Sequence, residues 1–260
     1  MISSVIIGAG NMGSALYGGL VAAGKAADVW LCDENTEKLS PAPVDRRLTD
    51  PLAAVADCIV LVVKPQSFPT LMAAVGEQWK DRFIVSVMAG VTVEKIAKAT
   101  GSSAIVRAMP NLGARVQRGV AGWFASPAVT PVQVQHAEEL FSAMGMTVRL
   151  NEESMIDGFT AVVGSGPAYV FLLAELLERE AIGMGLDQVT SGKIARELLA
   201  STGLLLEGEN KSAAAWREAV TSKGGTTEAA LKVLQERGFA DIFRDAIAAA
   251  AERSRSLSRS

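Results

Sequence analysis

The stretch Val5-Ile6-Ile7-Gly8-Ala9-Gly10-Asn11-Met12-Gly13-Ser14 decides the fold. An apolar run, Ile2–Ile7, ends in a Gly-x-Gly-x-x-Gly string, Gly8 to Gly13, and a helical pattern over Met12–Ala23 follows. The string alone is common; a strand before it and a helix after it make it a dinucleotide-binding turn. Gly8 permits the tight turn, Gly10 lets backbone approach a pyrophosphate, and Gly13 lets helix and strand pack closely. Asn11 and Met12 lie at the helix opening, where free N–H groups and the positive end of the helix dipole favour phosphate. Asp33 stands twenty residues after Gly13, just past the next apolar run, Asp28–Cys32. A carboxylate there accepts hydrogen bonds from an adenosine ribose. An acid at this place disfavours a 2′-phosphate, yet Arg46 and Arg47 reach it if a loop folds back, so NADH and NADPH both stay open.

Outward from this turn, short Val- and Ile-rich runs alternate with helical patterns as far as Leu150. Strands are expected at Cys58–Val63, Arg82–Val87, Ala104–Ala108, Gly119–Ala125 and Met146–Leu150. Helices are expected at Phe68–Val75, Val93–Ala99 (Thr92 as N-cap, Gly101 past its end) and Val132–Met144. Strict alternation implies a parallel sheet covered on both faces. After Asn151 the strand pattern stops and only helical patterns remain, from Met155–Gly183 to Ala240–Ser254. The expected fold is therefore α/β: a Rossmann-type parallel sheet over residues 1–150, then an all-α domain over 151–260. Ligands meet such sheets at the carboxyl ends of the strands. That rule singles out Val63, Lys64 and Pro65, then Ala89 and Gly90, then Met109 and Asn111, as further cofactor contacts. The Arg- and Ser-rich end, Arg253 to Ser260, reads as a frayed basic tail.

Composition narrows the function classes. The chain has 260 residues, a net charge of −3, two cysteines and one histidine. Cys32, Cys58 and His136 are too few for a disulfide scaffold or a structural zinc cluster. The charge balance leaves no footprint for nucleic acid. No apolar run approaches the ~18–20 residues of a spanning helix, and no basic leader opens the chain, so no membrane partner and a cytoplasmic location are expected. Hydrophobic residues make up 49% but aromatics only 5%, so small and aliphatic side chains must do the packing.

Two segments in the second half carry a resemblance. Gly164-Ser165-Gly166-Pro167-Ala168-Tyr169 opens an apolar helix, and Thr221-Ser222-Lys223-Gly224-Gly225-Thr226-Thr227 precedes a later one. With Val63-Lys64-Pro65-Gln66 and Arg107-Ala108-Met109-Pro110-Asn111, the chain resembles pyrroline-5-carboxylate reductase over nearly its whole length. The resemblance implies NAD(P)H-dependent reduction of 1-pyrroline-5-carboxylate to L-proline. It implies a homodimer through the C-terminal helices, with substrate sites near the dimer interface, and leaves a decamer of dimers open. It also gives Thr227 a hydrogen bond to the substrate ring nitrogen, gives the loop backbone the carboxylate, and places Ser222 at the same pocket.

The residues support that chemistry by themselves. Gly224, Gly225, Thr226 and Thr227 sit at a helix start, where N–H groups and the dipole favour a carboxylate. The same string also reads as a plain loop with Thr226 or Thr227 as helix cap. A ketone needs a strong acid to protonate its oxygen. A cyclic imine can arrive protonated and accept hydride directly, so Thr227 as orienting hydroxyl suffices. In the related hydroxyacid dehydrogenases a lysine and an asparagine follow the glycine string; Val170 and Ala174 stand at those places here. A deazaflavin-type reductase and a non-catalytic dinucleotide sensor are the remaining rivals.

Overall fold

The computed structural model describes residues 2–53, 56–208 and 210–259, with backbone alone at 76 and 77. The chain divides by packing into two compact units: Met1–Ser165 with Ala249–Ser260, and Gly166–Ala248. The strand pattern divides it at residue 150 instead; the packing division falls later, and the last turns of the final helix belong with the sheet.

In the first unit, eight strands form one sheet among the described residues, in the order β3-β2-β1-β4-β5-β6-β7-β8. They are β1 (Ser4–Ile7), β2 (Val29–Cys32), β3 (Arg47–Leu48), β4 (Cys58–Leu61), β5 (Phe83–Ser86), β6 (Ile105–Met109), β7 (Gly119–Ala125) and β8 (Gly145–Arg149). The central strands β1, β4, β5 and β6 are buried along their whole length, as a sheet covered on both faces requires. Helices α1 (Asn11–Ala22), α2 (Phe68–Val75), α3 (Val93–Thr100) and α4 (Pro131–Ser142) accompany them. Thr92 caps α3 by accepting from the Lys95 N–H, and Gly101 ends it at φ 75°, both as expected. The parallel rule fails once. β6 and β7 pair antiparallel, because the chain between them makes only a tight turn at Leu112–Val116 and cannot cross the sheet.

The second unit is helical. It holds α6 (Gly166–Gly183), α7 (Gln188–Gly208), α8 (Ala213–Ala219) and α9 (Thr226–Glu236), and α10 (Phe239–Arg259) begins in it. Asp187 stands before α7 and accepts from the Thr190 N–H at 3.0 Å, as a cap does. Little of this unit is buried: α6 has no buried residue, and α7 buries only Ser191, Gly192 and Ala195. Phe171 is 58% exposed and Met184 84%. Such a surface is the kind that marks an interaction face.

Two expectations are corrected here. The tail is not frayed: α10 continues through Arg259, and Ser260 lies outside the described residues. Second, Met155–Gly183 is long and apolar enough to cross a membrane by length and composition, with a mean hydropathy of 1.5 over an 18-residue window. A search for uninterrupted apolar letters passes over it, because Gly, Ser, Tyr and Glu punctuate the stretch.

Met155–Gly183 is not one regular helix. A short helix α5 (Met155–Phe159) passes through a π-turn at Thr160–Gly164 before α6 starts. Pro167 explains the break: it has no N–H to return to the Val163 carbonyl. Asn111 fills that vacancy, its Nδ2 donating to Val163 O at 3.3 Å.

Candidate active site

The glycine turn joins β1 to α1. Gly8 has φ +107°, and a Cβ there would lie 2.9 Å from the Val62 carbonyl. A Cβ on Gly13 would overlap the Gly8 carbonyl oxygen. Both glycines are therefore demanded by the protein's own packing, the first as a turn and the second as a close approach of helix to strand. Gly10 differs: a Cβ there meets nothing within 4 Å. That space leaves the Gly10 backbone open to a ligand, as the turn of a dinucleotide site requires.

Beside it lies an open pocket of about 470 Å³ lined by Ala9, Gly10, Asn11, Ser14, Lys38, Ser40 and Arg115. Asp33 is only partly exposed and is built into the turn. Its Oδ2 accepts from the Ala9 N–H at 2.8 Å, and its Oδ1 from the Asn35 N–H at 2.9 Å. Burial raises its carboxyl, but the N–H donors of Asn35 and Ala9 and the Lys38 ammonium outweigh burial and hold it below the usual carboxylate range. Lys38 reaches Oδ1 at 3.4 Å. The basic neighbour of Asp33 is thus Lys38, five residues on, whereas Arg46 lies over the Trp30 ring at 4.8 Å. Lys38, Ser40 and Arg115 were missed in the sequence; only proximity of Lys38 to Asp33 in the chain signalled any of them.

The strand-end residues part company. Met12 is half-buried, Lys64 and Ala89 are exposed, and Val63 and Pro65 are intermediate. Gly90 is buried at φ +73°, and a Cβ there would lie 3.0 Å from both the Cβ and the carbonyl oxygen of Leu257. Met109 packs with Leu150 and Ile156. Asn111 spends its polar atoms on the protein: Oδ1 accepts from Gly113 and Val120 N–H at 3.2 and 3.1 Å, while Nδ2 holds Val163. The fold itself therefore uses Gly90, Met109 and Asn111.

In the second unit, the loop Ser222–Gly225 leads into α9. Gly224 has φ +73°. Gly225 is the N-cap residue, and no side chain caps the helix. The cap expected from Thr226 or Thr227 is absent because both lie inside the helix. The Gly224 N–H is taken by the Glu228 carboxylate at 2.6 Å. This loop already holds one carboxylate, its own. An open pocket of about 580 Å³ adjoins it, lined by Thr221, Gly224, Gly225, Glu228 and Lys232 among others. Lys232 was passed over in the sequence, although seven residues after Gly225 is the spacing of one helix face.

His136, Cys32 and Cys58 are structural. His136 Nε2 lies 2.8 Å from Ser4 Oγ, and its ring meets Phe83 edge-on. Burial pushes its pKa down. Burial pushes the Cys32 thiol up to about 12 and the Cys58 thiol higher, so both stay protonated and inert.

Known proteins match this arrangement in both halves. Residues 153–257 match a family model described as pyrroline-5-carboxylate reductase dimerisation. Residues 4–90 match one described as NADP oxidoreductase, coenzyme F420-dependent. The pyrroline-5-carboxylate reductase of Pseudomonas aeruginosa is 34% identical over 96% of this chain and 95% of its own. That of Escherichia coli is 31% identical over 98% of this chain and 97% of its own. The solved structure of a pyrroline-5-carboxylate reductase from Coxiella burnetii superposes with a TM-score of 0.91 at 31% identity, covering 100% of this chain and 99% of that one.

Proposed function

The chain belongs to the pyrroline-5-carboxylate reductase family, and from that premise we propose how its residues divide the work of reducing 1-pyrroline-5-carboxylate to L-proline. NAD(P)H, when bound, supplies the hydride. The backbone of Gly8 to Gly13 holds the pyrophosphate, and Asp33 takes a ribose hydroxyl. Val63, Lys64, Pro65, Ala89 and Gly90 border the nicotinamide half, with Met109 and Asn111 supporting that edge of the sheet.

The loop Ser222 to Thr227 binds the imino acid. One observation carries this reading: a helix start without a side-chain cap, preceded by two glycines, with a carboxylate already seated on the Gly224 N–H. Substrate carboxylate displaces Glu228 from that N–H and gains the dipole of α9. The Gly225 N–H is held by the Ser222 carbonyl at 3.0 Å; Thr226 adds a backbone donor, and Ser222 and Thr227 add hydroxyls. The Thr227 hydroxyl orients the ring nitrogen. An iminium accepts hydride already protonated, so no residue of the loop has to deliver a proton. Holding the two reactants in register is then the main source of rate.

The enzyme assembles as a homodimer or larger oligomer through its helical half. We propose the dimer as the working unit and the decamer as the larger assembly to look for by light scattering. Protonated, buried Cys32 and Cys58 suit a reducing compartment, and the cytoplasm is the location we propose.

Turnover of Thr227→Val tests the assignment of the loop. Loss of one hydrogen bond worth ~1–2 kcal/mol should lower kcat/KM for the imino acid roughly 5–30-fold with cofactor KM unchanged. Unchanged kcat/KM would remove Thr227 from the mechanism.

A further inference from the structure

We propose that the last turns of α10 are a positioning latch that sets the Met88–Gly90 loop for the nicotinamide half of the cofactor; the proposal rests on the reading above that Ala89 and Gly90 border that half. Ala251, Ser254 and Ser258 share one face of the helix, at i, i+3 and i+7 spacing, and Ala251 and Ser254 are buried. Ser254 Oγ donates to Asp157 Oδ1 at 2.6 Å. Ser258 Oγ lies 3.5 Å from the same oxygen and accepts from Arg107 Nη2 at 3.4 Å. Leu257 covers the buried Gly90, leaving no room for a side chain there.

Arg107 joins these contacts. It is only 2% exposed, and a buried guanidinium is costly unless paired. Its Nη1 donates to Glu153 Oε1 at 2.8 Å. That same oxygen accepts the Val93 N–H at 2.9 Å, three residues beyond Gly90. The loop is therefore fixed at two points: Leu257 presses on Gly90, and the chain Ser258–Arg107–Glu153 pins Val93. Both points follow the carboxyl end of β5, and Arg107 stands on the neighbouring β6. This is the edge where the reactive half of a dinucleotide lies, not the helices that cover the sheet faces. A tail used for stability alone has no reason to converge there.

The test separates the two halves of the cofactor. NADPH and 2′,5′-ADP, which carries only the adenosine half, are titrated by calorimetry into the full-length oligomer and its variants, with a Tm for each. The double variant Leu257→Ala, Ser258→Ala should weaken NADPH roughly five- to tenfold, the worth of one or two lost contacts, and leave 2′,5′-ADP within about twofold. Ser258→Ala should give part of that loss, and Ser258→Thr, which keeps the hydroxyl, should restore NADPH binding. Unchanged NADPH affinity, or equal weakening of both ligands with a lowered Tm, would overturn the latch. Ala89→Phe tests the premise separately by adding bulk to the loop itself. If it weakens NADPH while the α10 variants do not, the latch alone is wrong. If it leaves NADPH untouched, the loop does not border the nicotinamide, and the latch falls with that reading.

Discussion

Replacing Asp33 with alanine should change the ratio of NADH to NADPH use by more than it changes either alone through the fold. The structure gives Asp33 one task, and we propose a second. It holds the glycine turn by accepting the Ala9 N–H at 2.8 Å, and in the proposed function its remaining lone pairs accept from a ribose. Losing the first task deforms the turn and weakens both cofactors alike, by about 1 kcal/mol, or five- to tenfold. Losing the second removes a charge-assisted hydrogen bond only from NADH, worth about 1.5–3 kcal/mol. For NADPH the sign reverses. A carboxylate beside a 2′-phosphate repels it, and Lys38, now 3.4 Å from Asp33, is released to face the phosphate. Because Lys38 is half exposed, that gain is held to about 0.5–1 kcal/mol. Loop deformation cancels in the ratio, leaving about 2–4 kcal/mol, or roughly 30- to 1000-fold toward NADPH. The assay is kcat/KM for each cofactor at saturating imino acid, at two salt concentrations. The shift should shrink at high salt, since the Lys38 part is screened. Equal losses for both cofactors would show that Asp33 serves only the turn.

Other expectations follow from the same geometry. Gly10→Ala should leave the Tm within a degree or two while weakening cofactor binding, since the new methyl meets no protein atom; Gly13→Ala should lower the Tm as well, by an overpacking cost of about 1–3 kcal/mol. Calorimetry of both variants with and without NADPH separates the two. His136 is buried with a lowered pKa, so the unfolded chain binds its proton more readily than the folded one; stability should fall as pH drops below about 6.5, and His136→Gln should flatten that slope in Tm measurements between pH 5 and 7.5. Phe171→Glu, placed on an exposed apolar face of α6, should shift sedimentation toward the monomer and reduce stability at low protein concentration, whereas a monomer-like wild type would contradict the assembly.

The sheet was legible because its signals are local. A glycine turn, a run of buried aliphatics and a Thr-to-Gly helix frame each act within a dozen residues, and the strands from Ser4 to Met109 fall within the expected runs to a residue or so, except the two-residue edge strand β3 at Arg47–Leu48, which is too short to show as an apolar run. The antiparallel β6–β7 pair was not, since alternation of strand and helix was extended across a segment that holds only a short 3-10 turn. The loop at Ser222–Thr227 was legible as a site, but its cap was not. Thr226 and Thr227 compete for that role on propensity, and Gly225 takes it because it alone has the extended backbone of a cap position, at φ −83° and ψ 173°. The tail was misread for a different reason. Arg- and Ser-rich composition resembles a solvated end, and nothing local says that Ser254, Leu257 and Ser258 have partners about a hundred residues or more away at Asp157, Gly90 and Arg107.

Those long-range partners also separate two kinds of site residue that a motif lists together. Gly8, Gly13, Gly90 and Asn111 all have protein atoms that require them: a carbonyl too close for a Cβ, a helix seated on a glycine, a carbonyl orphaned by Pro167. Their presence follows from the fold, and their variants should first be read as changes in packing. Gly10 has no such neighbour, and the N–H groups at the start of α9 have no side-chain cap. These are places where the protein leaves space or hydrogen-bonding capacity that its own fold does not consume. Such surplus is costly to maintain, since glycine loses more chain entropy on folding and an unmet helix start forgoes a cap worth about 1 kcal/mol. A ligand is what repays it. That measure supports the proposal that the dinucleotide site centres on Gly10 and the imino-acid site on the start of α9, where the Gly224 and Gly225 N–H groups are held by Glu228 and the Ser222 carbonyl until a ligand takes their place.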